Sequence, residues 1–299
     1  MDTERRAATL AALALTFNAF TWGVSWWPFR QLEAQGLHPL WATSLIYALS
    51  LLVITLWRWQ SWRQLWAAPS LWWLVLASGT TNAAFNWAVT IGDVVRVVLM
   101  FYLMPLWAVL LARWLLHEPL TRRALLRVVL ALIGAAIVLW PDGRDGTAAG
   151  GWPLPRSLAE WLGVLGGFSF ALNNVLLRRE AHRPEAARAL AMFLGGVLVA
   201  TLLALALGAA EPGRVPAPPP AAWPWLAGAF GMGLWFLLGN LALQHGAARL
   251  PANATAVIMI TEVLFASVSA VLLGAGVLTP ALALGGGLIV AAALLAARG

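Results

Sequence analysis

Cysteine and lysine are both missing from this 299-residue chain, and charged residues make up only 10% of it. Without cysteine there can be no disulfide, thiolate zinc site, iron–sulfur cluster or thiol nucleophile. The lack of lysine excludes a P-loop lysine and a Schiff-base lysine, and with them the common ATP-driven and pyridoxal chemistries. A soluble domain carries about a quarter charged residues, so the low charge, the 61% hydrophobic content and the mean hydropathy of +0.79 together place the chain in a membrane. A hydrocarbon core of about 30 Å takes about 20 apolar residues per helical span, which leaves room here for about ten. The apolar segments are continuous runs of Leu, Ala, Val and Trp without the alternation of a barrel strand, and they read as helices. Arginine alone supplies the net charge of +7. The arginines are scattered at segment ends and do not form a stripe with interleaved aromatics, which speaks for membrane topology and against nucleic acid.

Breaks at charged, Gly and Pro residues divide the chain into ten expected spans: 7–28, 37–57, 70–91, 94–116, 123–140, 158–177, 187–208, 222–245, 251–274 and 280–297. Arg5 and Arg6 before the first span suggest a signal peptide, but its length and Trp22, Trp26 and Trp27 at the cleavage region argue for a retained span. With the N-terminus inside, fourteen arginines fall in inner loops and five (Arg30, Arg96, Arg144, Arg156 and Arg214) in outer ones. The excess predicts that both termini are cytoplasmic. Trp57, Trp59, Trp62, Trp66, Trp72 and Trp73 then form an inner interfacial belt, with Trp26, Trp27, Trp41, Trp223 and Trp225 on the outer side. The two longest breaks, starting at Pro141 and Glu211, hold no cluster resembling a site.

At an offset of 157 residues the fourth span aligns weakly with the ninth, placing Pro105 on Glu262, Ala108 near Phe265, and the HEPLT run at His117 on the GAGVLT run at Gly274. A half with five spans begins and ends on opposite sides of the membrane, so a second such half enters upside down, as in many secondary transporters. Charge agrees: residues 113–127 carry four arginines and belong inside, whereas their counterpart, residues 270–284, carries no charge and belongs outside. The expected division is 1–146 and 147–299. The paired halves, Trp22-Gly23, the pattern from Pro105 to Thr121 and the Gly-rich last span resemble the EamA-like drug/metabolite transporter superfamily. Length, tryptophan usage and the TEVLFASVSAVLL run from Thr261 look like the bacterial aromatic amino acid exporters of the YddG type. The family usually repeats in its second half the glutamate that Glu118 supplies in the first. Ala275 stands there in this chain, consistent with Glu118 as a helix-end residue near Arg122 and Arg123.

Polar side chains at mid-span depth are costly in hydrocarbon and turn to the bundle interior or to a wet cavity. Glu262, the twelfth residue of its span, reads either as a site for a substrate ammonium or a proton, or as a neutral carboxyl that bonds another helix. Asn82 and Asn86 share a face of span three that continues to Asp93, and Asn240 and Gln244 repeat the spacing in span eight. Asn173 and Asn174 lie in span six with Ser169 before them, and Asn253 opens span nine. Each amide alone reads as glue between helices, and the recurring pairs read as cavity lining. Trp22, Trp87, Trp107 and Trp235 lie inside spans, and with Tyr102, Phe101 and Phe85 they offer stacking or cation–π surfaces; packing is the alternative for each. Pro105 and Pro251 predict kinks, and Gly163, Gly167, Gly228, Gly231 and Gly233 predict close helix approach. Arg96, after Asp93, reads as an anchor or as a carboxylate-binding group at the mouth.

His117-Glu118 lacks the second histidine of H-E-x-x-H, and no serine has a His–Asp partnership on its side, so an enzyme is not expected. The expectation is an all-α bundle of ten spans in two inverted halves in a bacterial inner membrane. It would be a monomer without cofactor, exporting a small amphiphilic metabolite by alternating access through a central cavity, which the resemblance implies is lined by spans one, three, four, six, eight and nine. The resemblance implies an aromatic or neutral amino acid as the solute. Glu262 would meet its ammonium, the amides its carboxylate, and Tyr102, Trp22 or Trp235 its side chain. A multidrug or nucleotide-sugar carrier of the same superfamily, an integral membrane enzyme and a passive channel are the alternatives, though a polyanion wants central arginine or lysine and none is present.

Overall fold

A computed structural model describes residues 2–91, 97, 100–119, 121–139, 155, 157–273 and 280–297. They are helical, with no strand among the described residues. In chain order the helices are α1 (Asp2–Gly23), α2 (Trp26–Ala34), α3 (Pro39–Trp57), α4 (Gln60–Trp66), α5 (Ser70–Ile91), α6 (Met104–Leu115) and α7 (Arg122–Leu139). The remainder are α8 (Leu158–Arg179), α9 (Glu185–Ala210), α10 (Trp223–Ala247), α11 (Ala252–Met259), α12 (Glu262–Leu272) and α13 (Pro280–Ala297). The amphipathic α4, with Trp59 and Trp66 exposed at its ends, is too short to cross a bilayer.

Five segments are long and apolar enough to cross a membrane: Arg6–Ala34, Pro39–Trp57, Glu185–Ala210, Trp223–Ala247 and Ala252–Ser269. Met104–Leu115 and Ala283–Ala292 are apolar but shorter. Helices α5 and α8, at 22 residues each, have spanning length. Both carry polar side chains inward, Ser78, Thr81, Asn82 and Asn86 on α5 and Ser169, Asn173 and Asn174 on α8, all of them buried.

Packing crosses between the two parts of the chain. Helix α1 lies on α10 and α8 lies on α5, while α3 meets α9 and α7 meets α13. The α5–α9 contact is backbone on backbone, because a Cβ at Gly195 would come within 2.1 Å of the Val75 carbonyl oxygen. Close approach of this kind lets dispersion and Cα–H contacts join helices where no water is available to drive them together. Gly163, Gly167 and Gly233 also sit against neighbouring helices, but Gly231 faces open space, with nothing within 4 Å of a Cβ placed there. Pro251 caps the start of α11 instead of kinking a span, because the helix begins after it.

Most described arginines gather at one end of the bundle, where the C-terminal ends of α6, α8 and α10 and the starts of α5, α7, α9 and α11 meet. The Ser70 hydroxyl donates to the buried Glu180 carboxylate at 3.0 Å, which also lies 3.4 Å from Arg183 Nε. Arg178 donates to the Ala248 carbonyl at 2.6 Å, and Arg249 pairs with Glu185 at 3.7 Å. At the opposite end, Arg30 lies over the Trp26 ring and Arg214 over the Trp87 ring.

Candidate functional site

Three expected spans are interrupted inside the bundle. The first breaks between α1 and α2, where Ser25 Oγ donates to the Trp22 carbonyl at 2.7 Å. The ninth breaks between α11 and α12 by the same local device, Thr261 Oγ1 donating to the Ile258 carbonyl at 2.7 Å. A hydroxyl that takes a carbonyl within its own turn competes with the helical ladder and bends it. The fourth breaks at Tyr102-Leu103, just before Pro105, whose missing N–H leaves the Phe101 carbonyl without its helical partner. That carbonyl is pressed against α8, where a Cβ on Gly167 would meet it at 2.3 Å. The breaks in the fourth and ninth spans fall within one residue of the 157-residue offset between them.

Around these breaks lies a cavity of about 20 Å³, room for about one water, lined by Trp22, Thr81, Asn82, Phe85, Phe101, Phe170 and Glu262. Glu262 opens α12, so its carboxyl sits at the positive end of that helix dipole. It is the one ionisable side chain in the lining, and no described residue hydrogen-bonds to it. Gly23 lets α1 approach this first turn: a Cβ there would fall 2.8 Å from the Glu262 carbonyl and 2.6 Å from Phe265 Cβ. Trp22 is thereby held at the cavity with its ring edge-on to Phe236, centroids 4.6 Å apart. Phe101 packs on Phe85 at 4.9 Å and on Phe170 at 5.8 Å, which makes one wall aromatic. Asn82 forms the polar wall with Thr81; its Oδ1 accepts from the Tyr47 hydroxyl, and its Nδ2 donates to the Ser78 carbonyl, both at 2.8 Å.

Of the residues singled out in the sequence, this cavity brings together Glu262, Asn82, Trp22, Phe85 and Phe101. Tyr102 is buried at the fourth-span break, within electrostatic reach of Glu262 but outside the lining. Asn86 is turned to α3, donating to the Thr43 hydroxyl. Trp235 stands edge-on to Phe17 and Phe20 and donates to the Thr21 carbonyl at 3.3 Å, on a partly exposed flank of α1. Gln244 donates to Asn240 Oδ1 at 2.7 Å, and Asn240 reaches the Met192 sulfur on α9. Asn173 and Asn174 are almost wholly buried, and none of their four side-chain polar atoms has a partner. Asn253 belongs to the arginine-rich end, far along α11 from Glu262. Asp93, Arg96 and Ala275 lie outside the described residues. Tyr47, Thr81 and Phe170 are additions. Tyr47 is one of only two tyrosines and sits mid-span, which is the sole signal that could have marked it.

Asn253 lines a second, larger cavity of about 620 Å³ with Glu118, Arg122, Arg123 and Arg127. Burial pushes the Glu118 carboxyl above the usual carboxylate range, against the attraction of Arg178 and a hydrogen bond from the Ala252 backbone.

Helices of spanning length, interrupted around a buried acid, define a multi-pass helical membrane protein. Residues 9–140 match the model of the EamA-like transporter family, so the first part of the chain is similar to that family. The match supports a transporter of the drug/metabolite transporter superfamily and favours a non-enzymatic role. The fold is similar to that of a protein of known crystal structure, with a TM-score of 0.75, 18% identity and 96% of each chain covered. At that identity the likeness is one of fold. No match was found among curated proteins.

Proposed function

We propose that this protein exports amino acids, aromatic or neutral, and related amphiphilic metabolites across a bacterial inner membrane by alternating access. The reading rests on one observation above the others, a lone carboxyl, Glu262, in a cavity whose other walls are aromatic or amide. An ammonium group satisfies the carboxyl, an aromatic or branched side chain fits among Trp22, Phe85, Phe101 and Phe170, and the second N–H of Asn82 Nδ2, the first being held by the Ser78 carbonyl, supplies a donor for a carboxylate. Binding at the breaks of two corresponding helices is the plan of carriers built from inverted repeats. Residues 1–146 and 147–299 are read as those repeats, in keeping with the exchanged packing of α1 on α10 and α8 on α5. At about 20 Å³ the cavity is closed to any amino acid, so α6 and α12 must part from their neighbours for solute to enter. Rocking of one half against the other would open it to each side in turn. The arginine-rich end, with both termini, is taken as cytoplasmic.

The test is counterflow in liposomes loaded with phenylalanine, with leucine and phenethylamine as competitors. Phenylalanine exchange that is lost in Glu262→Gln at unchanged expression supports the reading, and exchange that survives at every pH overturns the role of Glu262. A second reading, a carrier of lipophilic amines, is favoured by the same lining, since a single acid among aromatics needs no carboxylate in its ligand. Phenethylamine outcompeting both amino acids would decide for it.

A further inference from the structure

The cavity of about 620 Å³ at the arginine-rich end shares no lining residue with the cavity around Glu262, and its chemistry is different. Arg122, Arg123 and Arg127, all on the first turns of α7, face it together with Glu118, Pro251 and Asn253. The ion pairs among the described residues involve Glu180, Glu185 and Glu211, and none engages these three arginines. Arg123 and Arg127 are four apart and repel each other. The acid in the lining, Glu118, is drawn to Arg178 and to the Ala252 backbone. Three cations thus share a roomy pocket with a single carboxylate, Glu118, and no ion pair among the described residues ties it to them, an arrangement that favours an anion from outside the chain.

The depth and flank of the pocket indicate where that anion comes from. Below Arg122, at helical spacing on the same face of α7, run Leu125, Leu126, Val129 and Ile133, each between 42% and 54% exposed. This stripe is the lipid-facing side of a spanning helix, and it begins within a turn of the arginines. Trp114, 77% exposed near the end of the neighbouring α6, stands where tryptophans mark the headgroup layer. A phosphate held by the arginines would therefore have its acyl chains already lying along an apolar track.

We propose that this pocket binds the headgroup of an anionic phospholipid. The arginines hold the phosphate through charge-assisted hydrogen bonds, Asn253 adds an amide from the start of α11, and the α7 stripe receives the chains. Because the pocket bridges the fourth-to-fifth span connection and the start of the broken ninth span, the bound lipid joins the two halves at their arginine-rich end. The site does not depend on what the central cavity carries.

Native mass spectrometry of the full-length protein, delipidated in detergent and titrated with phosphatidylglycerol or phosphatidylcholine, tests the proposal. At least one phosphatidylglycerol should be retained under conditions that strip phosphatidylcholine. Arg123→Gln with Arg127→Gln should weaken retention about fivefold per arginine removed. The paired lysine variant, Arg123→Lys with Arg127→Lys, should keep most of it and shows that the helix start tolerates change. Arg58→Gln with Arg63→Gln removes the same charge elsewhere at that end and should leave retention unaltered. Equal retention of the two lipids overturns the proposal, as does equal loss in the Arg58/Arg63 variant. Glycerol phosphate competing as well as the whole lipid would overturn it too, assigning the pocket to a free anion.

Discussion

The Tyr47 hydroxyl donates to Asn82 Oδ1 at 2.8 Å across the α3–α5 contact, and Asn82 in turn donates to the Ser78 carbonyl. Both ends of the amide are thus engaged, and its orientation toward the cavity is set from outside the cavity. The Tyr47 ring is fixed independently, edge-on to Phe193 at 5.6 Å. Tyr47→Phe should therefore keep the packing and release the amide. A hydrogen bond between membrane helices averages about 0.6 kcal/mol, so the half-saturation concentration for phenylalanine should rise about threefold with little change in maximal rate. Initial-rate counterflow separates the two, and an unchanged half-saturation would show that Asn82 does not meet the solute.

Asn173 and Asn174 yield a prediction of opposite sign for stability and transport. Arg178 bonds to the Ala248 carbonyl where α8 and α10 end side by side, and one turn earlier on each helix stand Asn174 and Gln244. Gln244 Oε1 is unpartnered, like both polar atoms of each asparagine. Buried polar atoms left in this way cost about 1 to 3 kcal/mol each, and are retained where function needs them wet in another state. Asn174→Leu should raise the melting temperature in detergent, by the equivalent of about 1 kcal/mol, and lower counterflow. If both quantities rise, Asn174 does not serve transport.

These residues show what the sequence carried and what it could not. The runs of apolar residues located the long helices but not α4, which falls between two expected spans, and the depth of Glu262 in its run marked the acid that reaches the cavity. The breaks at Ser25 and Thr261 were illegible, because a hydroxyl taking the carbonyl three residues back leaves the apolar pattern unbroken. Proline misled at residue 251, where it begins a helix. The rotation of each helix was equally hidden: Trp22 and Trp235 look alike as intramembrane tryptophans, yet only Trp22 is turned to Glu262. Thr81 and Phe170 were passed over for the same reason, since which face meets the cavity is decided by contacts between distant segments such as Gly195 on Val75.

Gly167 and Gly231 make a paired test of the packing. A Cβ at Gly167 would lie 2.3 Å from the Phe101 carbonyl oxygen, which is backbone held by the break before Pro105 and cannot swing away. Gly167→Ala must push α8 from the backbone at Phe101, just before α6, at a cost of about 1 to 3 kcal/mol, and should displace the Phe101–Phe170 wall of the cavity. Gly231→Ala meets nothing within 4 Å and should leave the melting temperature within about 0.5 kcal/mol of wild type. Thermal unfolding of both variants in one detergent checks the contrast, and equal effects would refute the close contact of α8 with the Phe101 backbone.

Glu118 gives the pH dependence whose sign can be worked out. Its carboxyl lies above the usual carboxylate range, chiefly through burial, with Arg178 and the Ala252 backbone pulling the other way. A carboxyl raised in the folded state binds its proton more tightly there than in the unfolded chain. Its contribution to stability is full below the unfolded value of about 4.3 and is lost as the pH rises through the folded value. Glu118→Gln has no such dependence at this position. The melting temperature of wild type relative to the variant should therefore improve as the pH is lowered from 7.5 to about 4. In an Arg178→Gln background, with the opposing attraction gone, the Glu118 carboxyl should move further up and the same comparison should become steeper. A difference between wild type and Glu118→Gln that stays flat over this range would show that the half-buried carboxyl is hydrated as freely as in the unfolded chain.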